Sequence, residues 1–260
     1  MNNQPSFSDR LLTSEVVTAY HIRKNKGKAA VACSFGKDSM AVLRLVLNVD
    51  PEIPVVWCDT KCEHKLTYDF ARRMIDEWNL NIHIAKAGKG INFWTIAKKH
   101  GLPTFRGNGS KRVPACCKIL KDDPAEKLYE ELGTQCIFTG ITAQESRQRA
   151  LLIARYSNKA QKEGIDINDP SGEGNGCSYL LKSGIRKVQP IAHWTVADVW
   201  AYHDLCTIPH CGVYDLDPSA RVGCLPCTAY ISWTDRMPLQ DFHTYRKIAK
   251  MNGTPILEDF

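Results

Sequence analysis

The stretch Val31-Ala32-Cys33-Ser34-Phe35-Gly36-Lys37-Asp38-Ser39-Met40 constrains this chain more than any other, because it reads as a buried strand that breaks into a turn and restarts as a helix. Beyond the turn, Met40, Val42, Leu43, Val46 and Leu47 recur at the spacing of a helix packed on a sheet, and Asp38 and Ser39 fall at its N-terminus. Backbone N–H groups in a first helical turn lack partners within the helix, and the helix dipole adds to their attraction for an anion. Ser34 and Ser39 can donate hydroxyl hydrogen bonds to phosphate oxygens, Gly36 allows close backbone approach, and Lys37 adds a point charge. The expected ligand is a nucleotide, with Lys37, Asp38 and Ser39 as the candidate catalytic groups.

Short apolar runs alternate with longer helical patterns along the rest of the chain. Strands are predicted at 29–33, 53–58, 82–85, 136–139 and 188–191, and helices at 65–78, 91–100, 122–132 and 196–205, after an opening helix carrying Leu11, Leu12, Val16 and Tyr20. That alternation predicts an α/β fold, a parallel twisted sheet flanked by helices with a ligand crevice at the carboxyl ends of the strands. At 260 residues, 43% hydrophobic and 24% charged, the chain suits one core spanning 1–205 and a cysteine-containing, irregular C-terminal part over 206–260 that ends in a helix at 239–251. The polar, glycine-rich stretch 158–183 is expected to be a flexible loop or flap over the site. No apolar run approaches a membrane span and residues 1–9 carry no apolar signal core, so a cytoplasmic protein is expected.

Eleven cysteines without a secretory signal point to metal or redox chemistry rather than disulfides. Cys116 and Cys117 are adjacent, and Cys224 and Cys227 form a Cys-x-x-Cys pair. Adjacent cysteines can both ligate one metal only where the backbone is kinked, which Pro114 could assist. Spacing alone leaves an iron–sulfur cluster, a zinc knot and metal-free thiols all open. Arg106, Lys111, Arg112, Lys118 and Lys121 concentrate positive charge around the first pair and suit an anionic partner, or a solvated loop. Asp59-Thr60 should end the second strand, where a carboxylate can meet ribose, adenine or a hydrated magnesium ion. Glu145, Arg147 and Arg149 should open the helix after the fourth strand, as anion clamps or as an ordinary Glu145–Arg149 surface pair. Trp194, Trp200 and Tyr202 are expected in the core. His64, His193 and His210 receive no role, while Cys177 in the glycine-rich stretch and Cys62 beside Asp59 are secondary candidates for a mobile or persulfide-bearing thiol.

The first loop resembles the PP-loop, the Ser-Gly-Gly-x-Asp-Ser signature of ATP pyrophosphatases and sulfonucleotide reductases, with Phe35 in place of its first glycine. Thr139-Gly140-Ile141-Thr142-Ala143-Gln144-Glu145-Ser146-Arg147 resembles the Gly-x-Arg-x-x-Glu-Ser segment of the phosphoadenosine phosphosulfate (PAPS) reductase family, with Thr142 where arginine is usual. Pro190-Ile191-Ala192-His193-Trp194-Thr195-Val196-Ala197-Asp198-Val199-Trp200 resembles its Pro-Ile-x-x-Trp-Thr-x-x-Asp-Val-Trp block, and Asp59-Thr60-Lys61 its Asp-Thr-Gly, with lysine for glycine. These blocks cover about residues 28–230. The resemblance implies an adenine nucleotide alpha hydrolase-like fold and a nucleotide site of Ser34, Phe35, Gly36, Lys37, Asp38, Ser39, Asp59, Thr60, Gly140, Glu145 and Arg147. It also implies a 4Fe-4S cluster on Cys116, Cys117, Cys224 and Cys227.

Reductases of that family attack activated sulfate with a cysteine in a C-terminal Glu-Cys-Gly-x-His segment, and no cysteine follows Cys227 here. The expectation is therefore an ATP-dependent sulfur-modification enzyme, resembling the ATP pyrophosphatase component of DNA phosphorothioation systems. ATP, magnesium and the cluster would be its cofactors, with nucleic acid (DNA or tRNA) as acceptor and a cysteine desulfurase or other sulfur donor as partner. The alternatives are a sulfonucleotide reductase with an atypical thiol, using an adenylyl sulfonucleotide in place of ATP, and a non-catalytic binder of nucleotide and cluster. A homo-oligomer is compatible with each.

Overall fold

The computed structural model describes residues 5–101, 114–216 and 222–227; Arg106, Lys111, Arg112 and the helix expected at 239–251 lie outside the described residues. In chain order the elements are α1 (Phe7–Lys24), β1 (Ala29–Ala32), α2 (Lys37–Leu47), β2 (Val55–Asp59), α3 (Lys65–Glu77), β3 (Ile82–Lys86), α4 (Phe93–His100) and α5 (Ala115–Cys117). They continue with α6 (Asp123–Glu131), β4 (Cys136–Thr139), α7 (Arg147–Lys162), β5 (Ser178–Leu180), β6 (Arg186–Val188), α8 (Val196–Leu205) and α9 (Val213–Leu216).

The six strands form one sheet in the order β3-β2-β1-β4-β6-β5, parallel throughout except for β5, which runs antiparallel to β6. The expected fold class holds. Its centre is β1, whose Ala-Ala-Val-Ala sequence suits a strand covered on both faces: Ala29 and Val31 join the main core, and Ala30 the core on the opposite face. Against the first face packs α2, with Met40, Ala41, Val42, Leu43, Leu45 and Val46 all buried, and α1 and α8 pack on α2 in turn. Trp194 and Tyr202 are buried there and Trp200 packs alongside, as expected of core aromatics. On the second face, Ala125 and Tyr129 of α6 cover Ala30, Val56 and Ile137.

Two expectations need correction. The strand expected at 188–191 stops at Val188 because Pro190 has no N–H for a ladder; Ala192 and Trp194 bond back to the carbonyls of Gln189 and Ile191 in a turn instead. Nor is 158–183 a loose flap. It begins inside α7 and runs through β5 into the turn beyond, and between the two elements Ser171 and Cys177 are buried, with the Ser171 carbonyl 2.7 Å from His21 Nε2 on α1. Its polar residues serve its own backbone: Asp166, Asp169 and Asn175 each accept an N–H two residues on, so polarity here marks compact turns rather than solvation. Among the described residues no helix is long and apolar enough to cross a membrane.

A bidentate pair ties α1 to the start of α8: Arg10 Nε and Nη2 reach Asp198 at 2.9 and 2.8 Å. Asp198 also closes a capping box with Thr195. Burial works against the Asp198 charge, but the Arg10 guanidinium and the Thr195 amide and hydroxyl outweigh it and hold the carboxyl below its usual range. A depressed carboxyl stabilises the fold above the unfolded-state pKa and ceases to do so as pH falls through the folded-state value. Asp198→Asn should therefore cost about 2 kcal/mol at pH 7, and thermal melts should show the gap from wild type closing as pH drops below about 4.

Candidate nucleotide and thiol site

The order of strands reverses at β1, with β2 and β3 laid down on one side and β4 and β6 on the other. At such a switch point the loops leaving the carboxyl ends diverge and open a crevice. Here the loop after β4 crosses directly over the N-terminus of α2: a Cβ on Gly140 would lie 2.6 Å from the Asp38 carbonyl carbon and oxygen and from the Ser39 nitrogen. Only glycine fits. Beside it, Thr139 Oγ1 at the end of β4 is buried without a hydrogen-bond partner among the described residues, a hydroxyl the sequence reading did not single out.

Ser39 organises the turn itself. Its hydroxyl donates to the Gly36 carbonyl at 2.9 Å and accepts the Ser34 N–H at 3.2 Å, with Ser34 Oγ also 3.2 Å away. Lys37 Nζ folds onto the Asp38 carboxylate at 2.7 and 2.8 Å, so the cation and anion of the loop neutralise each other. The Lys37 N–H, first of the free amides of α2, donates to the Tyr214 hydroxyl at 3.0 Å, and the Lys37 carbonyl lies 2.8 Å from His203 Nε2. Phe35 adopts φ 59°, the left-handed conformation that glycine would supply, and its fully buried ring meets Trp57 and Phe70 edge to face. Lys61, the other residue standing for a glycine, has the same φ of 59°. Both loops thus keep a glycine-like backbone without glycine.

Asp59 closes β2 with its carboxylate accepting the Lys61 N–H at 3.0 Å and the Tyr68 hydroxyl at 3.2 Å. Thr60 is buried, and its Oγ1 lies 3.3 Å from Cys62 Sγ and 3.5 Å from Cys224 Sγ. The Cys-x-x-Cys segment is pinned to this loop: Leu225 N–H donates to the Cys62 carbonyl at 2.8 Å, and Cys224 pairs antiparallel with Glu63. At its near end, Val222 Cβ lies 3.3 Å from where a Gly36 Cβ would stand. One short segment therefore touches both the phosphate loop and the thiols.

Cys116 and Cys117 sit in regular helix after Pro114, which serves as its N-cap. The expected kink is displaced: the turn widens just after the pair, at Lys118–Asp122, because Pro124 offers no N–H to the Leu120 carbonyl and the helix inserts a π turn before it. That turn carries Lys121 inward. Burial opposes its charge, but Cys224, Glu63, Cys117 and Cys58 surround it and raise the ammonium pKa. The Cys62 thiol donates to Cys224, whose pKa this contact, with Lys121 and Thr60, lowers against burial; the Cys116 thiol likewise lowers that of Cys117. Burial lifts Glu63 to about 7 despite Lys121.

The sequence pattern of the phosphoadenosine phosphosulfate reductase domain matches residues 28–230. The chain belongs to the PAPS reductase family. It is 29% identical over 231 residues to an adenosine 5'-phosphosulfate reductase of Bacillus cereus, covering 87% of this chain and 85% of that protein. Among solved structures it superposes on the PAPS reductase of Candida auris, a phosphate complex, with TM-score 0.56, 19% identity and coverage of 85% and 96%. It also superposes on the U34-tRNA thiolase NcsA of Methanococcus maripaludis with its [4Fe-4S] cluster, with TM-score 0.52, 12% identity and coverage of 98% and 82%. Those two likenesses establish the PP-loop fold.

For this family member, the four ligand candidates fit a thiolate-bound centre in donor type and neighbourhood: Cys116 is within electrostatic reach of Cys117, Cys227 and Cys224. Among the described residues, however, no three His, Cys, Asp or Glu side chains are already arranged to hold a metal ion. Glu145 and Arg149 form the helical ion pair, and Glu145 also accepts the Thr142 N–H as part of a capping box, while Arg147 is exposed at the start of α7. His64 caps α3, His193 lies 2.8 Å from the Asn175 carbonyl and His210 2.9 Å from Asp215. Cys177 is no mobile thiol; burial pushes it up to about 12. The groups missed outright are Tyr214, His203, Thr139 and Glu63, each buried or unpaired in ways that no spacing pattern reports.

Gly140→Ala should cost about 3 kcal/mol and remove nucleotide binding in isothermal titration, since the added methyl meets backbone. Phe35→Ala should cost about 4 kcal/mol, whereas Lys61→Gly should raise stability by up to about 1 kcal/mol; chemical denaturation separates the two.

Proposed function

We propose that this PAPS reductase family protein is an ATP-dependent sulfur-modification enzyme: an ATP pyrophosphatase that adenylates an acceptor oxygen and lets sulfur replace it, with nucleic acid as the acceptor. The observation that carries this reading is the 222–227 segment, which packs Val222 on the phosphate loop and sets Cys224 beside Thr60 and Cys62. Nucleotide chemistry and thiol chemistry then share one crevice.

The residues divide the work as follows. Free amides of the first turn of α2, the Ser34 and Ser39 hydroxyls and Lys37, once released from Asp38, hold the β- and γ-phosphates. Asp59 faces the ribose or a hydrated magnesium ion. The acceptor oxygen bonds to the α-phosphorus as the α–β bridge breaks and pyrophosphate leaves; incoming sulfide then forms the bond to the acceptor as AMP departs with the oxygen, whereas a persulfide donor would leave an acceptor disulfide that a second thiol cleaves, forming a disulfide with the donor. Cys116, Cys117, Cys224 and Cys227 are the groups that would hold a 4Fe-4S cluster, and Lys121 offsets their negative charge. When bound, such a cluster supplies iron with an affinity for sulfur.

Similarity to adenosine 5'-phosphosulfate reductases favours a second reading, reduction of a sulfonucleotide by a thiol. Against it, the eleven cysteines of this sequence are each buried or half-buried.

Protein prepared without air should release pyrophosphate from ATP when given sulfide and nucleic acid, and Ser39→Ala should slow release about 100-fold with iron content unchanged. Cys224→Ser should lose iron and visible absorption. Sulfite formed from adenylyl sulfate and a dithiol, with no pyrophosphate from ATP, would establish the reductase instead.

A further inference from the structure

Three features of α7 stand outside the chemistry above. First, its sixteen residues, Arg147–Lys162, contain five arginines and lysines and no aspartate or glutamate. Second, its two faces differ. Ile153 and Ala160 are buried, and Ser157 and Gln161 hydrogen-bond the Gly174 carbonyl at 2.8 and 3.0 Å, so this face is closed by the acidic 163–177 stretch. The opposite face is open: Leu151, Ala154, Arg155, Asn158, Lys159 and Lys162 line a shallow groove of about 510 Å³. Third, the helix starts at the crevice, because Arg147 follows the loop that leaves the carboxyl end of β4.

Charge is available on the open face. Among the described residues Arg147, Arg155 and Lys162 have no ion-pair partner, and Lys159 meets Glu163 only at 3.7 Å with both side chains more than half exposed, a contact worth little in water. At about 1.5 Å per residue, these cations run in one stripe about 22 Å long away from the site. Of the basic run around Cys116, the two described members are engaged: Lys118 pairs with Asp123, and Lys121 is turned in among the thiols.

We infer that the open face of α7 is the binding track for the phosphodiester backbone of a nucleic acid, resting on the reading above that nucleic acid is the acceptor. Repeated cations without intervening acids suit a chain of regularly spaced negative charge. A protein partner or a lipid surface is less suited, because the only large apolar side chain in the groove is Leu151, 60% exposed, and the rest of its lining is small or polar. A strand lying along the stripe would have one end at Arg147, beside the nucleotide.

Fluorescence anisotropy with a 24-base-pair DNA duplex and with an RNA hairpin of matching length tests this on the full-length protein across a salt series. Wild type should bind at least one of them with affinity falling as salt rises. Arg155→Glu/Lys162→Glu should weaken binding at least about tenfold and lower the salt slope by about 2. Arg23→Glu/Lys26→Glu, at the end of α1 and in the turn leading to β1, should stay within about twofold of wild type. The tighter of the two probes names the polymer. Thermal melts check that each variant is folded, and an Arg155→Gln/Lys162→Gln variant repeats the test without reversed charge. Absence of salt-dependent binding by wild type, or equal losses in both charge-reversal variants, overturns the track. ATP binding measured by isothermal titration without nucleic acid should be the same in wild type and the α7 variants, so the nucleotide reading stands or falls separately.

Discussion

The contact between the Gly140 backbone and the first turn of α2 sets the dimensions of everything else in the crevice. With 2.6 Å between a would-be Cβ and the Asp38 carbonyl, the loop after β4 comes too close to the helix for any side chain at position 140. That approach aligns the Thr139 hydroxyl, the free amides of α2 and the Ser39 hub on one opening. It also explains why the switch point falls between β1 and β4: the short, small-residue strand β1 lets α2 sit low against the sheet, so its N-terminus emerges level with the strand ends.

Two loops that ordinarily use glycine do without it here, and the consequences differ. At Phe35 the left-handed backbone is retained because the ring is locked between Trp57 and Phe70, so core packing offsets a local conformational cost. At Lys61 the side chain is exposed and nothing comparable compensates beyond the Asp59 carboxylate accepting its N–H. The same tight turn aims Asp59 at the crevice and sends Cys62 back toward Cys224. One strained residue therefore lies between the Asp59 carboxylate, assigned to the nucleotide in the function proposed above, and the thiols.

Much of this was legible in the sequence. Short apolar runs and the longer helical segments between them located β4 and α8 to the residue and the other central elements to within a few, because a strand buried on both faces reads as a continuous apolar run. The edge hairpin β5–β6 was lost since Ser178-Tyr179-Leu180 and Arg186-Lys187-Val188 are short and largely polar. The glycine-rich stretch misled because Asp and Asn that satisfy their own turns look the same in sequence as Asp and Asn that face water. The four cysteines were legible as two pairs, but Lys121 was not. Its inward direction depends on a widened helical turn caused by a proline three residues later, and no charge pattern encodes that.

Tyr214 gives the clearest case of a role that only three dimensions reveal. Its hydroxyl accepts the Lys37 N–H, and burial keeps the phenol protonated, pushing its pKa up despite the Lys37 contact. A phosphate oxygen reaching that amide meets a donor already satisfied, and has to offer a better acceptor than a neutral phenol. A charged oxygen does, since hydrogen bonds to ionised acceptors are about twice as strong as neutral ones. The displaced hydroxyl can then donate its own proton to the same oxygen, turning a competitor into a ligand. Tyr214 lies on α9 and Val222, two residues before Cys224, lies against Gly36, so in the function proposed above an anion in this loop would meet groups next to the thiols.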